Sequence, residues 1–215
     1  MKKVISFSLW GDNPKYTIGA IENAKLAQEI YPDWFSYFFV SSSVSEDIQN
    51  QLLSIPNVVL FYKQDNGNWE SMFWRFETCY DLEVDVSIFR DTDSRLSLRE
   101  KYAVDEWLQS DKTFHIMRDH PYHGFPILGG MWGYRNTEKY DMHKLLTSFD
   151  KKNKYGTDYQ FFAESLYPLI EDDKIVHDPF FDRIDFPTPR EGTEFVGDVF
   201  DENNNRHPEY HKYII

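Results

Sequence analysis

The segment Ile88-Phe89-Arg90-Asp91-Thr92-Asp93-Ser94-Arg95 places two carboxylates one residue apart, directly after an apolar run. That run begins at Val84 and is rich in β-branched and aromatic residues, so it predicts a strand that ends at the acidic pair. Ligand sites of open α/β sheets lie at the carboxyl ends of their strands. Asp91 and Asp93 are therefore suited to bind one divalent cation together with the oxygens of a diphosphate. An isolated Asp-x-Asp is equally typical of a capped turn.

Strand and helix patterns alternate around this segment. We predict strands over residues 3–9, 34–40, 57–62, 84–89, 114–117 and 174–177. We predict helices over residues 14–30, 48–53, 70–80 and 98–108, with further helices around Leu145 and Phe161. Pro14 is placed to open the first helix, and Ser43 and Glu46 have capping-box spacing before the second. The order predicts an α/β fold in which helices cover a mainly parallel sheet.

The composition excludes several classes of protein. The net charge of −13 over 215 residues would repel a nucleic-acid backbone or an anionic membrane surface. The sequence has no apolar run of membrane-spanning length and no basic-then-apolar leader, so we expect no membrane insertion and a cytoplasmic location. Cys79 is the single cysteine, which rules out an internal disulfide and suits a reducing compartment. The glycine-rich motifs of kinases and dinucleotide oxidoreductases are missing as well.

Six short strings occur along nearly the whole chain. They are Phe7-Ser8-Leu9-Trp10-Gly11-Asp12-Asn13-Pro14, Met72-Phe73-Trp74-Arg75-Phe76, Phe89-Arg90-Asp91-Thr92-Asp93-Ser94-Arg95, His115-Ile116-Met117-Arg118-Asp119-His120-Pro121, Ile127-Leu128-Gly129-Gly130-Met131-Trp132-Gly133 and Tyr155-Gly156-Thr157-Asp158. In these strings the chain resembles the GT-A family of nucleotide-sugar glycosyltransferases. It is similar to small transferase domains from bacterial surface-polysaccharide clusters and to the first domain of an algal-virus glycosyltransferase.

The resemblance implies a GT-A-like fold with a Rossmann-like half. We expect a single domain, with a nucleotide-binding half over residues 1–95, a sugar and acceptor half over residues 96–178, and an irregular tail over residues 179–215. The implied activity is metal-dependent transfer of a hexose from a UDP-sugar donor to a hydroxyl of a glycan or glycoprotein acceptor, as in polysaccharide biosynthesis. We expect retention of configuration, because the sequence offers no well-placed base for in-line attack.

The resemblance also implies a metal site. In the family, the motif aspartates and a late histidine hold Mn²⁺ or Mg²⁺ against the diphosphate, and Asp91, Asp93 and His177 match these ligands. Oxygen ligands plus one imidazole suit Mn²⁺ better than Mg²⁺, because imidazole is the softer ligand. A structural histidine is the alternative for His177.

Arg75 is the expected partner of the leaving diphosphate, since a guanidinium on a helix among apolar residues needs a counter-charge. The alternative is a salt bridge to Glu70 or Glu77. The resemblance assigns reading of the base to the end of the first strand and the start of the first helix. The residues there are Leu9, Trp10 and Tyr16, and core packing is the alternative for Leu9.

The remaining donor contacts are expected from three places. Arg90 lies inside the acidic motif, and Arg118, Asp119 and His120 follow a predicted strand, where we expect them to contact sugar hydroxyls. Gly129 and Gly130 permit close approach of a ligand, although a tight turn would also explain them.

Asp158 matches the family's donor-contacting acid near the reacting carbon, which makes it, with Arg75, a candidate catalytic residue. A carboxylate that complements a helix dipole is the alternative.

Two other functions compete with this hypothesis. A haloacid-dehalogenase-type phosphatase also has an Asp-x-Asp at a strand end. The phosphatase motif, however, normally continues with Thr or Val where this chain has Arg95. It also normally lies near the start of the chain, whereas the pair here lies in the middle. A catalytically silent module that binds a sugar nucleotide or glycan is the other. Donor hydrolysis with Mn²⁺ separates the enzyme from the binder, because a binder saturates without turnover.

Overall fold

The computed structural model describes residues 1–214, which contain a continuous seven-stranded sheet. The strands are β1 Lys3–Leu9, β2 Phe35–Ser41, β3 Val58–Lys63, β4 Val86–Phe89, β5 Phe114–Met117, β6 Trp132–Arg135 and β7 Lys174–His177. Their order is β3-β2-β1-β4-β6-β5-β7. Within the described part of the chain, β6 alone runs antiparallel to its neighbours β4 and β5. The predicted mainly parallel α/β sheet is confirmed.

The sheet is flanked by helices. They are α1 Pro14–Ile30, α2 Glu46–Leu53, a 3₁₀ helix Trp69–Tyr80, α3 Leu98–Gln109, α4 Met142–Ser148, α5 Thr157–Phe161 and α6 Pro208–His211. A π-helical turn, Phe162–Leu166, continues α5. Across residues 1–214, no helix combines the length and the apolar character that a membrane crossing requires.

Helix caps follow from short polar side chains. The Asn13 side chain accepts a hydrogen bond from the Lys15 amide and Pro14 opens α1, as the sequence predicts. The cap of α2 is Ser45, so the predicted capping box at Ser43 is wrong. The Ser43 hydroxyl instead accepts from the Gly11 amide and donates to the Asn66 carbonyl, both at 2.8 Å, which ties together two loops at the carboxyl edge of the sheet.

Strand β6 lies inside the Gly-rich passage in which the sequence predicts no strand. A Cβ at Gly133 would lie 2.9 Å from the Trp107 ring, so the strand needs glycine there to let α3 pack against the sheet. Glycine weakens a strand signal, and four residues are too few to restore it. β6 brings Gly129 and Gly130, which precede it, to the end of β4.

Arg90 was expected to contact the donor, but it points into the core. Its guanidinium donates to the Phe89 and Trp132 carbonyls at 2.7 and 3.2 Å and pairs with Glu100 of α3 at 3.1 Å. The Tyr31 hydroxyl donates to the same carboxylate at 3.0 Å. Because both charges are buried, this pair fixes α3 beneath the carboxyl end of β4 instead of lining a site.

Replacing Glu100 with Gln should destabilise the fold strongly, because the Arg90 charge would stay buried without its counter-charge. We expect the free energy of unfolding to fall by about 3–5 kcal/mol. Asp105→Asn is the matched control on the same helix, since its pair with Lys101 is partly exposed and should contribute about 0.5 kcal/mol or less. Urea denaturation measures both, and equal losses would contradict this role of Arg90.

Candidate functional site

A cavity of about 1160 Å³ opens at the carboxyl edge of the sheet. Its walls come from the β1–α1 connection, the 3₁₀ helix, the segment after β4, the passage before β6, the residues around α5, and the C-terminal tail. Nine residues predicted for the site line it, namely Leu9, Trp10, Tyr16, Arg75, Asp91, Asp93, Gly129, Gly130 and Asp158. The structure therefore brings both predicted catalytic residues and both motif aspartates together.

Arg75 lines this cavity and is almost fully buried. Its guanidinium donates to the Arg90 carbonyl at 3.0 Å and to the Asp91 carboxylate, and its Nη2 lies 3.8 Å from Oδ2 of Asp158. The alternative of a salt bridge to a neighbouring glutamate is wrong, because Glu77 pairs instead with Lys63 of β3 at 2.6 Å. Arg75 thus connects the 3₁₀ helix to the end of β4 and to α5.

The two glycines make room for this charged group. A Cβ at Gly129 would lie 2.1 Å from Oδ2 of Asp158 and 2.6 Å from Nη2 of Arg75. A Cβ at Gly130 would lie 2.0 Å from Oδ2 of Asp91. Both glycines lie in a turn that is closed by a hydrogen bond from the Met131 amide to the Leu128 carbonyl at 3.0 Å, so the expected tight turn is present. Neither glycine has a positive φ, so the turn itself does not require glycine and the missing side chains are what matter.

Asp93 has a partner that the sequence analysis missed. The Lys15 ammonium, in the first turn of α1, lies 2.7 Å from Oδ2 of Asp93. Burial raises the pKa of the Asp93 carboxyl, and the nearby Asp91 carboxylate raises it further, while Lys15 acts in the opposite direction. The only signal for Lys15 is its position just after the Asn13-Pro14 cap, where α1 begins at the carboxyl edge of the sheet.

Asp158 is also a buried carboxylic acid. Burial raises the pKa of its carboxyl, and the Arg75 guanidinium opposes that change. The side chain lies in the first turn of α5, where its Oδ1 accepts from the Tyr159 amide at 3.1 Å. It combines the dipole-complementing position of the alternative hypothesis with a place in the cavity wall.

The end of the cavity next to β1 is apolar and aromatic. Leu9 is buried in the core cluster and also lines the cavity, so both interpretations of this residue apply to it. Trp10 meets Trp74 edge to face, with ring centroids 6.4 Å apart, and the Trp10 side chain packs against Gly67. Tyr16 lies in the first turns of α1 beside Lys15.

His177 is not placed with the motif aspartates. Its Nδ1 lies 2.8 Å from Nε2 of His115 and its Nε2 lies 3.8 Å from Oε1 of Glu106, away from the cavity. Burial lowers the pKa of His177. Within residues 1–214 no group of three or more His, Cys, Asp or Glu side chains is spaced to hold a metal ion. The predicted set of Asp91, Asp93 and His177 is therefore not assembled, because His177 ends β7, which is separated from β4 in the sheet by both β6 and β5.

Arg118, Asp119 and His120 do not line the cavity either. Arg118 pairs with Asp178 at 2.7 Å and with Asp182. The Asp119 carboxylate pairs with Arg99 at 2.7 Å and with Arg190 at 2.6 Å, and it accepts from the Val196 amide at 2.9 Å. The His120 ring lies 3.0 Å from the Tyr210 carbonyl. These polar side chains hold the C-terminal tail instead of a sugar.

The tail predicted to be irregular has little regular structure but completes the cavity. Ser94 and Val199 form an isolated bridge, and the Phe200 amide donates to the Asp93 carbonyl at 2.8 Å. The cavity wall from this segment consists of Gly197, Val199 and Tyr210. The sequence analysis missed these residues, because short loop segments carry no periodic signal.

No protein-family model matches the chain, and no curated protein matches its sequence. Solved structures do match its fold. One is a glycosyltransferase involved in glycosylation of the major capsid of PBCV-1, with a TM-score of 0.56, 15% identity and coverage of 83% of this chain and 82% of that one. Another is glucosyl-3-phosphoglycerate synthase from Mycobacterium tuberculosis with Mn²⁺, UDP and phosphoglyceric acid, with a TM-score of 0.53, 13% identity and coverage of 81% and 67%.

A third similar structure is that of a synthase and not of a named glycosyltransferase. It is 4-diphosphocytidyl-2C-methyl-D-erythritol synthase from Anaerococcus prevotii, with a TM-score of 0.55, 12% identity and coverage of 87% of this chain and 93% of that one. At these identities the likeness establishes the fold and not the reaction. The chain has a GT-A-like fold, similar to that of solved glycosyltransferases.

Proposed function

We propose that this protein is a metal-dependent glycosyltransferase that moves a hexose from a UDP-sugar to a hydroxyl of a glycan. The observation that carries the proposal is the convergence of Asp91, Asp93, Arg75 and Asp158 in one cavity at the carboxyl edge of a GT-A-like sheet. UDP and Mn²⁺ in the Mycobacterium tuberculosis structure support the class of donor.

The residues present fit a divalent cation bound partly by substrate. Mg²⁺ and Mn²⁺ are commonly held by one or two carboxylates, with phosphate oxygens and water as the other ligands. Asp91 and Asp93 would hold such a cation, and it would offset the negative charge of the leaving diphosphate. The preference for Mn²⁺ over Mg²⁺ rested on the imidazole of His177, so with oxygen ligands alone the proposal includes either metal.

Arg75 lines the cavity and Lys15 lies next to it, and both supply positive charge near the motif aspartates. The Arg75 guanidinium is already held by Asp91 and by the Arg90 carbonyl, so it needs no reorganisation to stabilise charge on a leaving phosphate. Lys15 adds an ammonium beside Asp93. Both groups would stabilise the negative charge that develops on the leaving diphosphate.

Asp158 would act on the sugar. As the bond to the diphosphate breaks, the sugar carbon gains positive charge, which a buried carboxylate stabilises more in the transition state than in the ground state. In a retaining reaction the leaving phosphate takes the proton of the acceptor hydroxyl, so that the diphosphate leaves as the new glycosidic bond forms. Retention remains an extension of the proposal that rests on the resemblance of the motifs.

Nucleotidyl transfer is the second candidate, favoured by the fold likeness to the Anaerococcus prevotii enzyme. That reaction uses a nucleoside triphosphate, which brings more negative charge than a diphosphate sugar. The described cavity walls carry Asp12, Asp91, Asp93 and Asp158 against the guanidinium of Arg75 and the ammonium of Lys15, which lies outside the wall and is paired with Asp93. This balance favours the less charged donor.

Asp93→Asn should weaken metal-dependent UDP binding at least tenfold, because a neutral amide is a poorer ligand for a hard cation. Isothermal titration calorimetry with Mn²⁺ and with chelator measures the effect. Asp85→Asn, with the same charge change at the opposite end of β4, should leave UDP affinity unchanged. Equal UDP affinity with and without chelator in the unmodified protein would refute the metal site.

Asp158→Asn should keep UDP binding and lose most transfer, because the carboxylate acts mainly in the transition state. The measurements are kcat, UDP affinity and the unfolding midpoint of one variant, with Asp150→Asn in an exposed loop as the control. A helix-dipole role predicts instead a stability change below about 1 kcal/mol with normal kcat. Normal kcat would therefore remove Asp158 from the catalytic residues.

A further inference from the structure

Four aromatic rings from three separate segments meet on one side of the cavity. Trp69 begins the 3₁₀ helix, Phe125 precedes β6, and Tyr155 and Tyr159 lie at α5. The rings of Trp69 and Tyr155 are 5.3 Å apart, those of Tyr155 and Tyr159 are 6.1 Å apart, and Phe125 stacks on Tyr159 at 4.3 Å. We call these four residues the aromatic wall.

Three rings of the aromatic wall are open to solvent, unlike the core aromatics, and the fourth, Tyr159, is half-buried. Trp69 is 40% exposed, Phe125 45% and Tyr155 69%, whereas Phe76, Phe89 and Trp132 are fully buried. Contiguous exposed aromatic surface inside a concave site marks a place where a ligand covers it. The C–H faces of pyranose rings stack on such surfaces, while their hydroxyls remain free for hydrogen bonds.

The charges around the wall do not suit an anionic ligand. Arg75 is the one arginine or lysine among the described residues that line the cavity, and two aspartates already neutralise it. Burial lowers the pKa of His123, which also lines the cavity, to about 3, so this imidazole is neutral at pH 7. An uncharged ligand is therefore preferred over a phosphorylated or carboxylated one.

The cavity is large enough for a second substrate next to the donor. At about 1160 Å³ it exceeds the roughly 300–1,000 Å³ typical of a site for one small ligand. Tyr159 directly follows Asp158 in α5, so a ring stacked on the aromatic wall would lie beside the residue proposed to face the reacting sugar carbon.

From these observations we infer that the aromatic wall is the acceptor subsite and that it takes the end of an uncharged glycan. The inference rests on the proposed function and narrows it to neutral carbohydrate acceptors. It also assigns Trp69, from the half expected to bind the nucleotide, to acceptor binding.

The test uses the full chain with saturating Mn²⁺ and UDP, and neutral methyl glycosides and disaccharides of glucose, galactose and mannose as probes. Phosphoglyceric acid is the anionic probe. Ligand-observed NMR gives dissociation constants for the unmodified protein, Trp69→Ala, Tyr155→Ala and the control Tyr62→Ala. Tyr62 lies on β3 outside the cavity and is 58% exposed, so its loss matches Tyr155→Ala in chemistry and exposure.

We expect at least one neutral probe to bind, both wall variants to weaken that binding at least tenfold, and UDP affinity to stay within twofold. Tyr62→Ala should bind like the unmodified protein. The inference is overturned if no neutral probe binds, if phosphoglyceric acid binds more tightly than every neutral probe, or if the wall variants bind normally. A parallel loss of UDP affinity would also overturn it, because the wall would then belong to the donor site.

Failure of the proposed function has a separate signature. In that case the unmodified protein would show no Mn²⁺-dependent UDP binding in calorimetry, whether or not the glycosides bind. Glycoside binding that depends on the aromatic wall, without UDP binding, would indicate a glycan-binding module. The aromatic wall would then still be a glycan site, but the protein would not be a transferase.

Discussion

The charge of Arg75 is the constraint on which the site depends. A guanidinium buried between a 3₁₀ helix and a sheet edge is tolerated only if carboxylates and carbonyls surround it. Asp91, Asp158 and the Arg90 carbonyl meet that requirement. The same contacts bring the end of β4, the 3₁₀ helix and α5 to one point, where side chains larger than glycine cannot be placed at positions 129 and 130. Because the buried guanidinium of Arg75 needs these partners, the charged groups of the site are held in fixed orientations.

The regular elements were predictable because their signals are local. β1, β5 and β7 have the bounds that their β-branched and aromatic runs predict, and the Asn13-Pro14 cap opens α1 as expected. β6 was not predictable, because its Gly133 is needed for close packing against Trp107, a residue distant in the sequence. The 3₁₀ form of the segment Trp69–Tyr80 could not be distinguished from an α-helix, because apolar spacing alone predicts only a helix.

The lining of the cavity was predictable at the ends of strands that lie next to each other in the sheet, as with Leu9 at the end of β1 and Asp91 after β4. Prediction of site residues from the sequence failed where a polar side chain pairs with another residue inside the protein. Arg118 pairs with Asp178, and His177 contacts His115, contacts that no spacing in the sequence reveals. Lys15 was missed for the opposite reason, since a lysine in a first helical turn normally faces solvent. Similar folds occur in a glycosyltransferase and in 4-diphosphocytidyl-2C-methyl-D-erythritol synthase, so these side chains, and not the sheet, distinguish between the candidate reactions.

Turnover of a nucleotide sugar tests the central claim most directly. A panel of UDP- and GDP-hexoses is incubated with the protein and Mn²⁺ or Mg²⁺, and release of the nucleoside diphosphate is followed by ³¹P NMR. The structure predicts metal-dependent release of UDP from at least one UDP-hexose, which stops when the metal is chelated. Saturable binding of the panel without any release of diphosphate would contradict the transferase assignment and identify a sugar-nucleotide-binding protein on the same fold.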